Sequence, residues 1–454
     1  MSGEAGQVSA ARRRDVLDAL RRGAVPAAGL DLLAVGLDRF ERAAAEDLAA
    51  VAAGGSVFKA VRGEYGSGKT FFTRWLAEQA KKAGLTTAEV QISENETPLH
   101  KLETVYRRLT ERLTTATFPP SALRQVVDGW FYALEEDILA TDEATGDEAT
   151  GDEATGDDAA ALDRAVGELV DRRLAEVGRT APAFAAALRG YRAALAAGDE
   201  ATAAAVLAWL GGQPHVAASA RRAAGVRGDL DHFGALGFLQ GLLVVLRDSG
   251  FRGLLLVLDE VETLQRVRSD ARDKALNALR QLIDEVHSGR FPGLFLVITG
   301  TPAFYDGPQG VQRLAPLAQR LATDFTANPK FDNPRAVQLR LAGFTEASLV
   351  ELGGRVRDLY AAGSSGNAAG RIEKLVDDAY LGELAGAVAG RLGGKVGVVP
   401  RLFLKKLVGD VLDRVDQFDD FAPRRDYPLT IGAAEMTDLE RNAARADDID
   451  LDLE

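Results

Sequence analysis

Residues 63–70 have the composition and spacing of a phosphate-binding loop. They are Gly63, Glu64, Tyr65, Gly66, Ser67, Gly68, Lys69 and Thr70, and they fit the pattern G-x-x-x-x-G-K-[ST]. Glycines let the backbone curl until its N–H groups point at phosphate oxygens, and a helix that starts there adds positive potential. In this pattern Lys69 reaches the β- and γ-phosphates of a nucleotide and Thr70 is a ligand of Mg²⁺. The alternative is an incidental glycine-rich turn, which the predicted strand and helix on either side disfavour.

Two adjacent carboxylates follow an apolar segment. Residues 254–258 are Leu, Leu, Leu, Val and Leu, and Asp259 and Glu260 come next. Such a run is typical of a buried strand in a parallel sheet, and we expect its C-terminal end to emerge beside the phosphate loop. There Asp259 would hold Mg²⁺ and Glu260 would polarise the water that attacks the γ-phosphate. The alternative is an acidic helix cap after a core strand.

Hydroxyl and guanidinium groups further along the chain are weaker candidates for residues that act on the γ-phosphate. Thr299 or Thr301, at the end of the apolar segment that starts at Leu294, could sense the γ-phosphate by hydrogen bonding. A plain strand end and turn would look the same. Arg320, and less so Arg313, could reach across a subunit boundary and stabilise transition-state charge. Surface arginines are common, so an ordinary exposed arginine is the alternative.

Arg401 directly follows Pro400, a residue that favours the first position of a helix because it has no N–H to satisfy there. An arginine at a helix N-terminus could fold back over the phosphates as part of a lid. The alternative is an arginine in an ordinary salt bridge.

Five apolar segments separated by helical patterns must position these residues. They predict strands at Ser56–Arg62, Thr86–Ile92, Gly253–Leu258, Gly293–Thr299 and Ala336–Leu341. Strands that alternate with helices indicate an α/β fold in which helices cover both faces of a parallel sheet.

The same patterns divide the chain into segments. We predict an N-terminal helical segment at 1–30, the sheet domain at 31–343, a mainly helical lid at 344–415 and an acidic tail at 416–454. A winged-helix-like arrangement is one form that the lid could take. The sheet domain contains a helical insertion at about 119–235, and this insertion carries an acidic low-complexity repeat at 142–156.

Charge is unevenly distributed over the 454 residues. The net charge is −13, but residues 135–158 hold 11 acidic and no basic residues, and 410–454 hold 14 acidic and 5 basic ones. The other 385 residues therefore carry +7, which weakly favours contact with double-stranded DNA. No zinc finger or aromatic-interleaved basic stretch supports that contact. The absence of cysteine fits a reducing bacterial cytoplasm, and no apolar run of membrane-spanning length or secretory signal occurs.

Taken together, these residues resemble the AAA+ class of P-loop ATPases, especially its origin-recognition and STAND-type branch. The resemblance implies a P-loop NTPase sheet of AAA+ type with a helical lid, and it covers most of residues 30–410. It also implies that Val35 and Gly36 frame the adenine, that Arg401 is a second sensor, and that Arg320 acts at the nucleotide of a neighbouring subunit in a homo-oligomer.

Three segments resemble the ATP-binding proteins of BREX-type bacterial phage-defence systems, the BrxD family, more narrowly. They are Arg21–Asp31, the phosphate loop Gly63–Thr70, and Ser93–Glu103. This resemblance implies an accessory ATPase that works beside a methyltransferase, a helicase and other defence proteins.

Hydrolysis of ATP with Mg²⁺, coupled to remodelling of DNA or of a defence complex, is the leading interpretation. A nucleotide-gated switch or scaffold with negligible hydrolysis is the alternative, and Asp259 and Glu260 favour hydrolysis over it. A kinase is a third possibility, but a water-activating Glu260 has no use in a kinase and no acceptor site is evident.

Overall fold

The computed structural model describes residues 8–145, 156–326, 328–391 and 400–428, and shows an α/β protein with a five-stranded parallel sheet. The strands are β1 (Val57–Arg62), β2 (Thr86–Gln91), β3 (Leu254–Asp259), β4 (Leu294–Gly300) and β5 (Gln338–Arg340). Their order is β2-β3-β4-β1-β5. Each of the five strands predicted from the sequence forms, and its ends lie within two residues of the predicted ones.

The sheet order makes β3 and β4 neighbours. β4 lies between β3 and β1, the strand that leads into the loop. All residues of β3 and β4 are buried, and β3 pairs in parallel with both β2 and β4. Apolar composition identifies such strands but does not say which of them are neighbours, so the order could not be predicted from it.

Twenty α-helices accompany these strands in the described residues. They are α1 (Ala10–Arg21), α2 (Asp38–Ala52), α3 (Lys69–Lys82), α4 (Leu102–Arg112), α5 (Leu123–Thr145), α6 (Gly156–Arg173), α7 (Ala175–Thr180), α8 (Pro182–Ala196), α9 (Glu200–Leu210), α10 (Ala218–Ala223), α11 (His232–Asp248), α12 (Ser269–His287), α13 (Pro302–Asp306), α14 (Ala315–Arg320), α15 (Glu346–Ala361), α16 (Ala368–Leu375), α17 (Asp378–Arg391), α18 (Pro400–Lys405), α19 (Asp413–Gln417) and α20 (Pro423–Asp426). Short 3₁₀ helices form at Leu30–Leu33, Val261–Gln265, Val311–Arg313 and Pro329–Phe331, and a π-helix at Lys406–Leu412.

The chain forms two compact units. The first consists of residues 1–44, 61–78 and 324–454, and the second of residues 45–60 and 79–323. The phosphate loop therefore belongs to the first unit, and the acidic pair at 259–260 belongs to the second.

In the first unit, α1 shares a hydrophobic core with helices α15 to α19. An ion pair supports this packing, because Arg21 donates from Nε and Nη2 to the two carboxylate oxygens of Asp413 at 2.7 and 2.9 Å. The hydroxyl of Tyr360 donates to the same carboxylate at 2.8 Å. Burial and this hydrogen bond raise the pKa of Tyr360, so its phenol remains a donor. No strand follows β5 in the described part of the chain, so no wing of a winged helix is found there.

In the second unit, an aromatic cluster joins helices α4, α8, α9 and α11. Tyr106, Phe184 and Trp209 pack edge-on against Phe238, with ring centroids 5.2 to 5.7 Å apart. Such pairs stabilise a core beyond the area they bury. The predicted insertion is mainly helical in its described residues. Its acidic repeat lies largely outside them, since α5 ends at Thr145 and α6 begins at Gly156. The predicted acidic tail likewise lies outside them beyond residue 428.

None of the helices in the described ranges combines the length and the apolar character that a membrane crossing requires.

Candidate nucleotide-binding site

Three glycines determine the shape of the phosphate loop. Gly66 and Gly68 have φ angles of 79° and 92°, a left-handed conformation in which a side chain is strained. A Cβ atom on Gly63 would lie 2.2 Å from Oγ of Ser67, which leaves no room for a side chain. The loop ends where α3 begins at Lys69, so the N-terminus of a 14-residue helix adjoins it.

Lys69 closes this loop on itself. Its Nζ donates to the carbonyl oxygens of Gly63 at 2.8 Å and Glu64 at 3.3 Å, and lies 5.1 Å from the ring centre of Tyr65. The side chain is buried, whereas Glu64 and Tyr65 are exposed. An ammonium group held by carbonyl oxygens can exchange them for the stronger acceptors that phosphates provide.

The Oγ atom of Ser67 is buried and has no hydrogen-bond partner in the described part of the chain. A buried hydroxyl without a partner is costly, and a ligand with acceptor atoms would remove that cost. Glycines that permit close approach, the Lys69 ammonium and this hydroxyl form a donor set that fits a phosphate group. Thr70 follows at the start of α3 and is half-buried.

The predicted adenine-framing residues lie in the same unit. Val35 is in the hydrophobic core, and the neighbouring Gly36 is exposed with a φ of 72°. Arg355 of α15 holds this segment by donating from Nη1 to the carbonyl oxygen of Ala34 at 3.0 Å. Only Gly36 of the predicted pair is therefore on the surface, and the role of both residues in binding a base stays a prediction.

In the second unit, Asp259, Glu260 and Thr299 form one hydrogen-bonded centre. Thr299 donates its hydroxyl hydrogen to Oδ1 of Asp259 and accepts from the backbone N–H of Glu260 at 3.1 Å. That N–H also lies 3.1 Å from Oδ1 of Asp259. Asp259 and Thr299 are buried at the ends of the paired strands β3 and β4, while Glu260 is half-buried. The two carboxylates thus have different environments.

The backbone turns sharply at Glu260. Its φ of 59° and ψ of 41° are left-handed, an uncommon conformation for a residue with a side chain. The turn separates β3 from the 3₁₀ helix that begins at Val261. It lets the carboxylate of Glu260 accept a hydrogen bond at Oε2 from Nε2 of Gln91, 2.9 Å away. Strain of about 1–3 kcal/mol at such a residue is typical of functional sites.

Gln91 is the residue that sequence reasoning did not identify. It ends β2 and is the register partner of Asp259 in the parallel pairing of β2 with β3. A polar side chain at the end of a buried strand is a signal, but only the strand pairing shows that it faces Glu260.

Three other predicted residues make separate hydrogen bonds. Thr301 is buried and precedes α13, where its carbonyl oxygen accepts from the N–H of Phe304 at 3.0 Å. Arg320 donates from Nη2 to Asp284 at 3.1 Å, and Arg313 donates from Nη2 to Asp273 at 3.1 Å.

Arg401 lies at the start of α18, in the first unit. A Cβ atom on Gly23 would be 3.5 Å from Nη1 of Arg401, so this guanidinium packs against the end of α1. Its role as a second sensor stays a prediction.

Comparison with known protein families identifies the family of the chain and the ligand of that family. The family model described as BREX system ATP-binding protein BrxC/D matches residues 8–431. The chain belongs to this family. Comparisons with curated proteins and with solved structures give no match. Membership of the BREX ATP-binding family confirms the sequence resemblance and supports ATP as the ligand.

If Glu260 orients water in this BREX protein, Gln91→Ala should lower ATP turnover roughly 10- to 100-fold, because a hydrogen bond to a charged group is worth about 1.5–3 kcal/mol. The affinity for ATP should stay unchanged, since Gln91 only orients Glu260. Phosphate release and ATP binding are the measurements.

Gln265→Ala is the matched control, because it removes a different side-chain amide, which donates to the carbonyl oxygen of Ala303 in α13 at 3.0 Å. Equal turnover of the Gln91 and Gln265 variants would show that the contact with Glu260 has no part in the reaction.

Proposed function

We propose that this BREX-family protein binds ATP with Mg²⁺ and hydrolyses it, and that the nucleotide state drives remodelling of DNA or of a defence complex. The observation that carries the proposal is the arrangement of Asp259, Glu260 and Thr299, in which one carboxylate is buried and held and its neighbour is directed outward. Binding alone would not require two acids in such different environments.

The phosphate loop and the acidic centre are assigned to one nucleotide in this proposal. The assignment rests on the sequence, in which a phosphate loop and an apolar segment that ends in two acids both occur. The two sequence patterns also occur together in the P-loop ATPases that the chain resembles.

Each residue would then have a separate task. Lys69 and the loop N–H groups would bind the phosphates, and Ser67 would gain a hydrogen-bond partner. Thr70 and Asp259 would hold Mg²⁺, which when bound would neutralise phosphate charge. Thr299 would keep Asp259 in place. Glu260, held at Oε2 by Gln91, would accept a proton at Oε1 from the attacking water.

A switch that binds ATP and hydrolyses it negligibly is the second candidate. It requires only the phosphate loop, where Lys69 would exchange the carbonyl oxygens of Gly63 and Glu64 for phosphates. A switch does not need Glu260 as a base, so the two candidates differ in what a change at that residue does.

Lys69→Ala and Glu260→Gln should separate binding from chemistry. Lys69→Ala should weaken ATP binding at least about tenfold, since a charge-assisted hydrogen bond contributes about 1.5–3 kcal/mol. Glu260→Gln should keep the affinity and lower turnover roughly 10²- to 10⁴-fold, the usual contribution of a general base. Calorimetric ATP binding and phosphate release are measured on both, with circular dichroism to check folding.

Wild-type turnover in Glu260→Gln would exclude the proposed base. Tight binding without phosphate release from the wild-type chain would favour the switch.

Assembly into a homo-oligomer and cooperation with other BREX proteins belong to the same proposal. Family membership supports the defence-protein partners. Arg320 is proposed to act at a neighbour's nucleotide, for which its ion pair with Asp284 would have to open. Arg280 of α12 donates to the same Asp284 carboxylate at 3.0 Å, so it provides a matched comparison.

Arg320→Ala should lower turnover per subunit by at least about 100-fold, because an arginine finger contributes 10³ or more. Arg280→Ala, which breaks the other ion pair of Asp284, should leave turnover nearly unchanged. Phosphate release is measured over a range of protein concentrations, and specific activity should rise with concentration. Equal effects of the two substitutions, or full activity of a monomer, would remove the finger role.

A further inference from the structure

The segment that precedes β5 contains two phenylalanines, of which one is packed and the other is exposed. Phe325 packs against two cations, with the guanidinium carbons of Arg62 and Arg340 each 4.8 Å from its ring centre. Phe331 is 70% exposed. Phe325 therefore helps to hold the segment in place, whereas the ring of Phe331 is accessible to solvent.

Two successive Asn-Pro turns each carry a cation, and the Nζ atom of Lys330 lies 5.2 Å from the ring centre of Phe331. The side-chain oxygen of Asn328 accepts from the N–H of Lys330 at 3.1 Å, and that of Asn333 accepts from the N–H of Arg335 at 2.9 Å. In both turns a proline follows the asparagine and a cation follows the proline. Lys330 and Arg335 are exposed, on the two sides of Phe331 in the sequence.

Internal bonds fix this segment and neutralise its central acid. Arg340 donates from Nε and Nη2 to the two carboxylate oxygens of Asp332 at 2.8 and 2.7 Å. Arg39 donates to the carbonyl oxygens of Pro329 and Arg340 at 3.0 and 2.8 Å. The loop is therefore held in shape before any partner binds, which lowers the ordering cost of binding. The other acid of the segment, Asp324, accepts from Thr326.

We propose that Phe331, Lys330 and Arg335 form a binding surface for single-stranded nucleic acid. An unpaired base stacks on the exposed ring, and the phosphates on either side of that base meet the two cations. A base inside a duplex has no free face for such stacking, so the surface favours a single strand. Lysine is depleted in protein–protein interfaces but phenylalanine and arginine are enriched in them, so contact with a protein is one outcome of the test below.

The surface connects to the phosphate loop within the first unit. The segment runs directly into β5, and the N–H of Leu341 just after β5 donates to the carbonyl oxygen of Arg62 at 2.8 Å. Arg62 ends β1 and directly precedes Gly63 of the loop. A change caused by binding at Phe331 would thus be transmitted to the phosphate loop through the pair of strands β5 and β1. This coupling, unlike the binding itself, rests on the proposed ATPase function.

The test measures fluorescence anisotropy of a labelled thymidine oligonucleotide of about 20 nucleotides, longer than the roughly 4–16 nucleotides that such a site covers. The full chain is used at low salt. Phe331→Ala should weaken binding roughly 5- to 100-fold, as stacking of one base contributes about 1–3 kcal/mol, and Phe331→Trp should retain it. The double change Lys330→Ala and Arg335→Ala should flatten the salt dependence.

Phe233→Ala is the matched control. Phe233 is 85% exposed but follows Asp231 and His232, with no lysine or arginine beside it. This variant should bind the oligonucleotide like the wild type. Basal ATP turnover of Phe331→Ala should also match the wild type, while any stimulation by the oligonucleotide should be lost.

Three results would overturn the proposal: no binding by the wild type, equal binding by Phe331→Ala, or an equal loss in Phe233→Ala. A shift of oligomeric state in Phe331→Ala, seen by sedimentation, would reassign the surface to contact between copies of the chain. A wild type that binds the strand through Phe331 but releases no phosphate would contradict the ATPase proposal alone.

Discussion

The hydroxyl of Thr299 donates to Asp259 and accepts from the backbone of Glu260, and the arrangement of the acidic centre depends on this pair of bonds. It requires β3 and β4 to be parallel neighbours, because only then does Thr299 reach the end of β3. With Asp259 held, the chain turns at Glu260 through a left-handed residue. Gln91 fixes the carboxylate that this turn directs away from the strand. Two adjacent acids thereby become suited to different tasks.

The phosphate loop is governed by backbone geometry instead. Two of its glycines have left-handed backbone conformations, and the third packs too closely against Ser67 for a side chain to fit. The resulting curl brings the Lys69 ammonium to the carbonyl oxygens of Gly63 and Glu64. The buried hydroxyl of Ser67 has a hydrogen bond to gain when phosphate binds. In the proposed function these features bind ATP, and the acidic centre acts on it.

Features encoded by local pattern were predictable from the sequence, and features that arise from contacts between distant segments were not. The five strands followed from continuous apolar runs, and the phosphate loop from its spacing. The order of the strands, and with it the contact of Gln91 with Glu260, depends on pairing across the chain. The bond of Arg320 to Asp284 is of the same kind. No aromatic-interleaved basic stretch was recognised because Phe325 and Phe331 look alike in the sequence, and only exposure distinguishes Phe331 from a packed residue.

The most direct test of whether the Thr299 hydroxyl organises the acidic centre is to measure ATP turnover and ATP affinity of two variants. These variants are Thr299→Val and Thr299→Ser. Valine matches threonine in shape but lacks both hydrogen bonds, whereas serine keeps the hydroxyl. We expect Thr299→Val to lower phosphate release roughly 10- to 100-fold, as displacement of a catalytic group by about 1 Å does. Thr299→Ser should stay close to the wild type, and both should bind ATP normally, with thermal unfolding confirming that each variant is folded. Wild-type phosphate release from folded Thr299→Val would contradict the account.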